Sequence, residues 1–266
     1  MNNNHDKTIG KVGKYRFAAE PYHCDCTHRL FMGHLGNHLL NAADFHSKDR
    51  GFGMDYLNPR NMTWVLSRLA IEMNDMPPQY SDFDVETWVE SAMRYFTNRN
   101  FRIAAPDGKT YGYGKSIWAL IDTDNRQPQD ILAIKDGEIK QWIECQKECP
   151  IERGSRVKMG DNARLTRTID TYYNDIDVNG HVNSIKYIEH VLDLFPIEIY
   201  NDYILKRLDI AYVAESRFGD QLSFWIEDAE QQTEQTKEYS IRITKGEKDA
   251  QNSVEVCRCR LCFVKR

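Results

Sequence analysis

The chain has 266 residues, 41% of them apolar and 28% charged, with a formal net charge of −5, an ordinary globular composition long enough for two domains or one large one. This balance excludes a global attraction to nucleic acid, and no apolar run approaches the ~20 residues of a membrane-spanning helix. Seven cysteines in this length do not make a disulfide scaffold, which points to a reducing, cytoplasmic setting.

Residues 1–12, MNNNHDKTIGKV, carry neither an apolar signal segment nor Arg/Ser-rich transit character and read as a short frayed tail. HCDCTH then sets Cys24 and Cys26 beside His23 and His28, but C-x-C has no second pair at zinc spacing, so no metal and no cofactor is expected. Phe31, Leu35, Leu39 and Ala42 recur at helical spacing. TWVLSRLAIEM alternates as a strand, with Val65, Leu69, Ile71 and Met73 on one face. FDVETWVESAMRYFTNRNFRI and TYGYGKSIWALI flank a turn at Pro106-Asp107-Gly108. A polar link over residues 146–165 separates a first domain at 13–145 from a second at 166–266. In the second, Ile185, Ile188, Val191, Leu192 and Phe195 form an amphipathic helix that Pro196 stops. DQLSFWIEDAE, KEYSIRIT and SVEVCRCRLCFV read as strands, with Gly246 and Asp249 in the last turn and Cys257, Cys259 and Cys262 as small apolar residues.

The two domains read as a repeat. IDVNGHVNSIKYIEHVL from Ile176 matches CDCTHRLFMGHLGNHLL from Cys24 without a gap, so Asp177 falls on Asp25 and His190 on His38. KRLDIAYVAES from Lys206 matches SRLAIEMNDMP, with Arg207 on Arg68, Leu208 on Leu69 and Ile210 on Ile71. Each half is therefore one helix against a long antiparallel sheet, an α+β double hotdog.

YNDIDVNGHVNSIKYIE packs acid, amide and imidazole just before the second helix. Alternation directs Asp177, Asn179 and His181 to one side of an extended segment, and the first helical turn adds unpaired N–H groups and a positive dipole end. Such convergence suits a polarised carbonyl. Asp175 and Asn183 alone read as helix caps, and His38 and His190, with no partner in view, as packing or solvent-facing residues.

DIDVNGHVNSIKYIEHVLD followed by LDIAYVAES resembles the active-site region of the acyl-acyl-carrier-protein (acyl-ACP) thioesterases. MTWVLSRLAIEM, DFDVETWV and GKSIWALID resemble that family's N-terminal hotdog, and the likeness runs from about Lys14 to the end. It implies a tandem double hotdog, each half a long helix wrapped by an antiparallel β-sheet. The absence of a plastid transit peptide suggests a bacterial-type member. It further implies hydrolysis of acyl-ACP, with Asp177, Asn179 and His181 as catalytic acid, amide and imidazole and Glu215 of AYVAES as second carboxylate. Ser216 stands where many members carry a cysteine, and no G-x-S-x-G elbow exists, so water is the expected nucleophile, with Glu215 or Asp177 as base. The first half carries Thr27, Arg29 and Met76 at the positions of Asn179, His181 and Glu215, so it cannot run this chemistry and is left to hold the acyl chain. Met32, Leu35, Leu39, Trp64 and Leu66 are the candidate lining residues. An acyl-CoA thioesterase and a non-catalytic acyl-chain or ACP binding protein are the alternatives. The acidic carrier would dock on Arg94, Arg99 and Arg102 or on Arg153, Arg156, Lys158, Arg164 and Arg167; a single chain or a homodimer would serve.

Overall fold

In the computed structural model, residues 9–154, 157–160, 162–229, 232–246 and 253–266 are described; residues 1–8, Arg156 and Asp249 lie outside them. Each half contributes five strands: β1 Gly13–Ala18, β2 Met62–Met73, β3 Asp82–Ala92, β4 Phe96–Ala104 and β5 Thr110–Asp122, then β6 Arg164–Asp170, β7 Tyr203–Tyr212, β8 Gln221–Asp228, β9 Thr236–Lys245 and β10 Val254–Lys265. They form one ten-stranded antiparallel sheet in the order β1-β3-β4-β5-β2-β7-β10-β9-β8-β6. The second half of that order mirrors the first, with β7 in the place of β2. The halves meet where β2 pairs with β7, and there Ala70 faces Asp209. The offset that places Arg207 on Arg68 also places Asp209 on Ala70, so the pseudo-twofold axis of the repeat passes through this pair.

Helices α1, Met32–Asp49, and α3, Ser184–Leu192, pack together against the sheet. Their close approach rests on glycine: a Cβ on Gly36 would come within 2.7 Å of Ile185 Cδ1. Leu35, Leu39 and Ala42 on α1 and Ile185, Ile188 and Val191 on α3 are buried against inward residues of the strands, among them Leu69, Ile71, Phe101, Leu208, Phe224 and Phe263. Cys257 and Cys259 are fully buried in this core, acting as the small apolar residues the alternation suggested. Short helices α2, Met54–Leu57, and α4, Ile197–Asp202, complete the helical set. Among the described residues no helix is long and apolar enough to cross a membrane.

The sequence reading departs from the structure in several places. FDVETWVESAMRYFTNRNFRI is two strands, because Met93 N–H bonds Phe96 O at 2.8 Å and closes a hairpin that no Gly or Pro announces. In β2 the register shifts between Leu66 and Arg68; this bulge moves the inward face from even to odd positions, so Leu66 is buried while Val65 is not. The two sheets are one. Beyond β5, Ile131–Trp142 forms 3-10 turns joined through left-handed backbone at Lys135, Asp136 and Gly137. Its Ile131 and Ile139 cover Phe52, Leu57 and Leu120 in a second apolar cluster.

The repeat holds at the level of single hydrogen bonds. The 3-10 turns Pro21–His23 and Tyr173–Asp175 precede bridges Cys24–Leu30 and Ile176–Val182, and α1 and α3 start at corresponding residues. Inside each loop one aspartate holds the backbone. Asp25 Oδ1 accepts the N–H of Thr27 at 2.8 Å and of Arg29 at 3.4 Å; Asp177 Oδ1 accepts those of Asn179 at 2.8 Å and His181 at 3.2 Å. Asp25→Ala and Asp177→Ala should therefore each lower the unfolding free energy by about 1–2 kcal/mol, with the asparagine variants closer to wild type. Urea denaturation of the four variants checks this; a stability loss at only one of the two loops would count against a shared structural duty.

Candidate active site

The Ile176–Val182 loop is a closed turn, in place of the expected extended segment. Asp177 N–H donates to His181 O at 2.8 Å, Gly180 N–H donates to Asp177 O at 3.0 Å, and Gly180 has φ 78°. An aspartate ahead of Asn-Gly is a turn signature, and here it outweighs the period-two pattern. The Asp177 carboxylate thus bonds its own loop. Asn179 sits exposed at the tip, and its side-chain amide bonds no other protein group among the described residues. His181 turns inward, its side chain 17% exposed.

Val182 N–H donates to Ser216 O at 2.8 Å, which draws the loop against the segment that follows β7. This contact brings Glu215 to His181: Nε2 and Oε2 lie 3.2 Å apart. Arg126, from the turn after β5 in the other half, donates to Glu215 Oε1, and Lys245 Nζ donates to the Glu215 carbonyl at 2.7 Å. Burial, then the charges of Arg217 and Arg126, pull the His181 pKa below its ordinary 6.5, so the imidazole is neutral at pH 7. The neutral imidazole thus sits against one carboxylate oxygen of Glu215 while Arg126 holds the other. Ser216 is fully buried and is absent from the cavity wall.

His181 and Glu215 open onto a cavity of about 810 Å³ that runs into the first half. Asn183, whose side chain caps α3 by accepting the Ile185 N–H at 2.8 Å, and Ser184 border it with the positive end of that helix. Trp64, Leu66, Trp118, Phe52 and Ile139 supply apolar wall. Of the candidate lining residues, Trp64 and Leu66 are on this wall. Met32, Leu35 and Leu39 do not line the cavity: helical spacing finds the α1 stripe that faces the sheet, whereas Leu40, Ala43, Asp44 and Ser47 on the adjacent stripe face the cavity. The inner end is polar. Arg99, fully buried, has its pKa pulled down to about 9 chiefly by burial and donates to Thr87 and Ser47 hydroxyls at 3.2 and 3.0 Å.

The expected basic clusters are mostly paired with carboxylates, and in the first of them Arg99 is buried. Arg99 points inward, Arg94 pairs with Asp130 and Arg102 with Glu86. Arg153, Arg164 and Arg167 each face a carboxylate, on Glu90, Asp228 and Asp193, while Lys158 is exposed. His190 is not alone either, since its Nε2 lies 2.9 Å from Asp175 Oδ1. Asp175 also accepts the Tyr172 N–H, and it does not cap α3. Arg126 and Arg217 escaped the sequence reading. Each is an isolated cation in a turn, and only the fold places them beside Glu215 and His181.

The model of the acyl-ACP thioesterase N-terminal domain matches residues 10–135, and that of the C-terminal domain matches residues 159–256. A chloroplastic palmitoyl-acyl carrier protein thioesterase of Gossypium hirsutum is 24% identical, the match covering 77% of this chain and 52% of that protein. A chloroplastic oleoyl-acyl carrier protein thioesterase 2 of Arabidopsis thaliana is 25% identical over 78% of this chain and 60% of its own length. The chain therefore spans about half the length of the curated relatives it matches. The solved structure of an acyl-ACP thioesterase from Bacteroides thetaiotaomicron is 49% identical and covers 95% of this chain and 98% of its own, with a TM-score of 0.85. A 12:0-ACP thioesterase from Umbellularia californica shares the fold at 21% identity, with a TM-score of 0.82 over 100% of this chain and 98% of its own. With both family domains matched in order along one continuous sheet, the chain belongs to the acyl-ACP thioesterase family, with its double hotdog fold.

Proposed function

We propose that the chain hydrolyses the thioester of acyl-ACP, releasing a free fatty acid and ending chain elongation. The observation that carries the reading is the His181–Glu215 contact at the mouth of a largely apolar cavity. The acyl chain lies in the part of the cavity contributed by the first half, against Trp64 and Leu66. Its carbonyl sits by the Asn179 amide and the first turn of α3, which donate to the developing oxyanion. Water attacks the carbonyl carbon and passes its proton to Glu215. As the C–S bond breaks, that proton goes to the leaving thiolate. Neutral His181 packs against Glu215 Oε2, with Nε2 3.2 Å away, while Arg126 holds Oε1. Glu215 is favoured over Asp177 as base because Asp177 holds its loop as Asp25 does in the half without the other three residues. One chain completes this site, so no second copy is needed. The seven free cysteines support a cytoplasmic setting.

Turnover of acyl-ACP by His181→Ala and Glu215→Gln should fall at least about a hundredfold. Asp177→Asn, which keeps an acceptor for the loop, should stay within about tenfold. Assay against acyl-ACPs and acyl-CoAs of varied length tests both the roles and the carrier; a Glu215→Gln enzyme of near-normal rate would remove Glu215 as base. The pH profile follows from His181. A lowered pKa means that its protonation, which sets an imidazolium charge beside Glu215 and makes that carboxylate a weaker base, sets in only as pH falls below 6.5. The acid limb of kcat/KM should accordingly lie below that value and move upward in Arg217→Gln, which removes a charge that depresses the pKa; a wild-type limb above 6.5 would contradict the assignment.

Docking of the acidic carrier is placed at the mouth, where Arg217 lines the cavity and Val178, Val213 and Phe218 are exposed, at 90%, 60% and 68%. Arg217→Glu is expected to raise KM for acyl-ACP roughly tenfold, about 1.4 kcal/mol, with little change in KM for a small thioester that lacks the carrier. Added salt should raise the wild-type KM in the same direction. Equal effects on both substrates would place the carrier elsewhere.

A further inference from the structure

In the second half, Asp175 anchors His190 across 2.9 Å. The gap-free correspondence between the loops places Asp175 on His23 and His190 on His38. The first half therefore has two imidazoles where the second has an imidazole and its carboxylate. His38 is held between Phe17 and Phe83, with ring centroids at 4.5 and 5.4 Å. Both of its ring nitrogens are buried and neither has a hydrogen-bond partner among the described residues, an arrangement that costs free energy unless something fills the gap. A carboxylate re-enters from another position: Glu20 Oε2 lies 2.7 Å from His23 Nδ1. One ligand atom from each of Glu20, His23 and His38 lies within 4.8 Å of the others. His23 stacks on His34, with centroids 4.1 Å apart, which steadies its ring.

We propose that Glu20, His23 and His38 form a site for one divalent transition-metal ion, of which zinc fits best, with water completing the coordination from the exposed side. Two imidazoles and a carboxylate are a preferred donor set for this ion; bonds of about 2.0–2.2 Å set tetrahedral donors roughly 3.4 Å apart, so the widest pair closes by at most about 1.5 Å from its present separation while Glu20 and His23 open from 2.7 Å. Burial keeps His38 neutral at physiological pH, the state in which imidazole ligates. The thiols that drew attention in HCDCTH stay outside the set: Cys24 Sγ faces the Glu20 carbonyl oxygen at 3.3 Å, and Cys26 is exposed. None of the three ligands lines the cavity. The ion would tie the 3-10 turn at Pro21–His23 to α1, the link that Asp175 and His190 make by hydrogen bond in the other half.

The test is titration of the chelator-treated full chain with zinc by calorimetry and with cobalt by absorption spectroscopy. One ion should bind with a Kd tighter than about 100 μM, with visible d–d bands and no thiolate-to-cobalt charge transfer. Glu20→Gln at an exposed position and His23→Asn at a half-buried one should each weaken binding at least tenfold, as should His38→Ala if it folds; His28→Asn and the Cys24→Ser/Cys26→Ser double variant should not. Binding weaker than about 100 μM, binding that survives Glu20→Gln and His23→Asn, or binding lost with the two cysteines would each overturn the proposal.

Discussion

The pairing of β2 with β7 is the constraint from which the rest follows. Five residues of each strand face one another, and the seam is reinforced by charge. Arg207 donates to buried Asp209 on its own strand at 2.8 and 2.9 Å and to Glu72 on β2 at 2.9 Å. Two small sheets fused along this seam wrap α1 and α3 as a pair, and Gly36 lets the helices touch. Without the seam each half would expose an apolar edge strand, and the cavity that crosses from one half to the other would not exist. The same seam carries Arg126 of the first half to Glu215 of the second. The site is therefore a property of the fused molecule, and neither half holds it alone.

Duplication separates the residues that both halves keep from those that only one half adds. Two loops with the same turn, the same bridge and the same aspartate bonds descend into two helices, yet only one carries amide, imidazole and a facing glutamate. What both loops keep is what the backbone needs, and that is Asp25 and Asp177. What one loop adds is free to face a ligand. The shared duty of Asp25 and Asp177 separates Asp177 from Glu215 without appeal to either group's acidity. The repeat also marks His38 as the residue whose counterpart has a partner while it has none among the described residues.

The fold was legible in the sequence because burial periodicity and the repeat agreed. Helix positions, most strands and the buried cysteines follow from local pattern. The losses have local causes as well. A bulge near Ser67 broke the alternation of β2, a hairpin without Gly or Pro hid the division between β3 and β4, and the turns at Ile131–Trp142 have no period to detect. At the site, Asp177, Asn179 and His181 share one loop, but the segment is a turn and not the extended run that the period-two pattern suggested. Glu215 lies far along the chain from His181, and only family resemblance placed it there. Arg126 and Arg217 had no signal, because a cation's role depends on which carboxylate or imidazole the fold sets beside it.

The cavity shows how chain selection could follow from the same architecture. Its mouth belongs to the second half, at His181 and Glu215, and its depth to the first, between the polar-lined stripe of α1 and the bulged end of β2. Ile139 and Trp142 of the 3-10 segment close the far side, where that segment is tied to β3 by the Glu144 N–H bond to Val89 O at 2.8 Å. There the apolar wall gives way to Arg99, Thr97 and Ser47, and an alkyl tail pressed against a buried guanidinium would have to desolvate it further. The usable apolar length thus ends before the geometric cavity does. In the proposed reading, the reach of the acyl chain is set by where Trp64 and Phe52 yield to these polar groups. The chemistry, at the opposite end, is the same for any chain that fits.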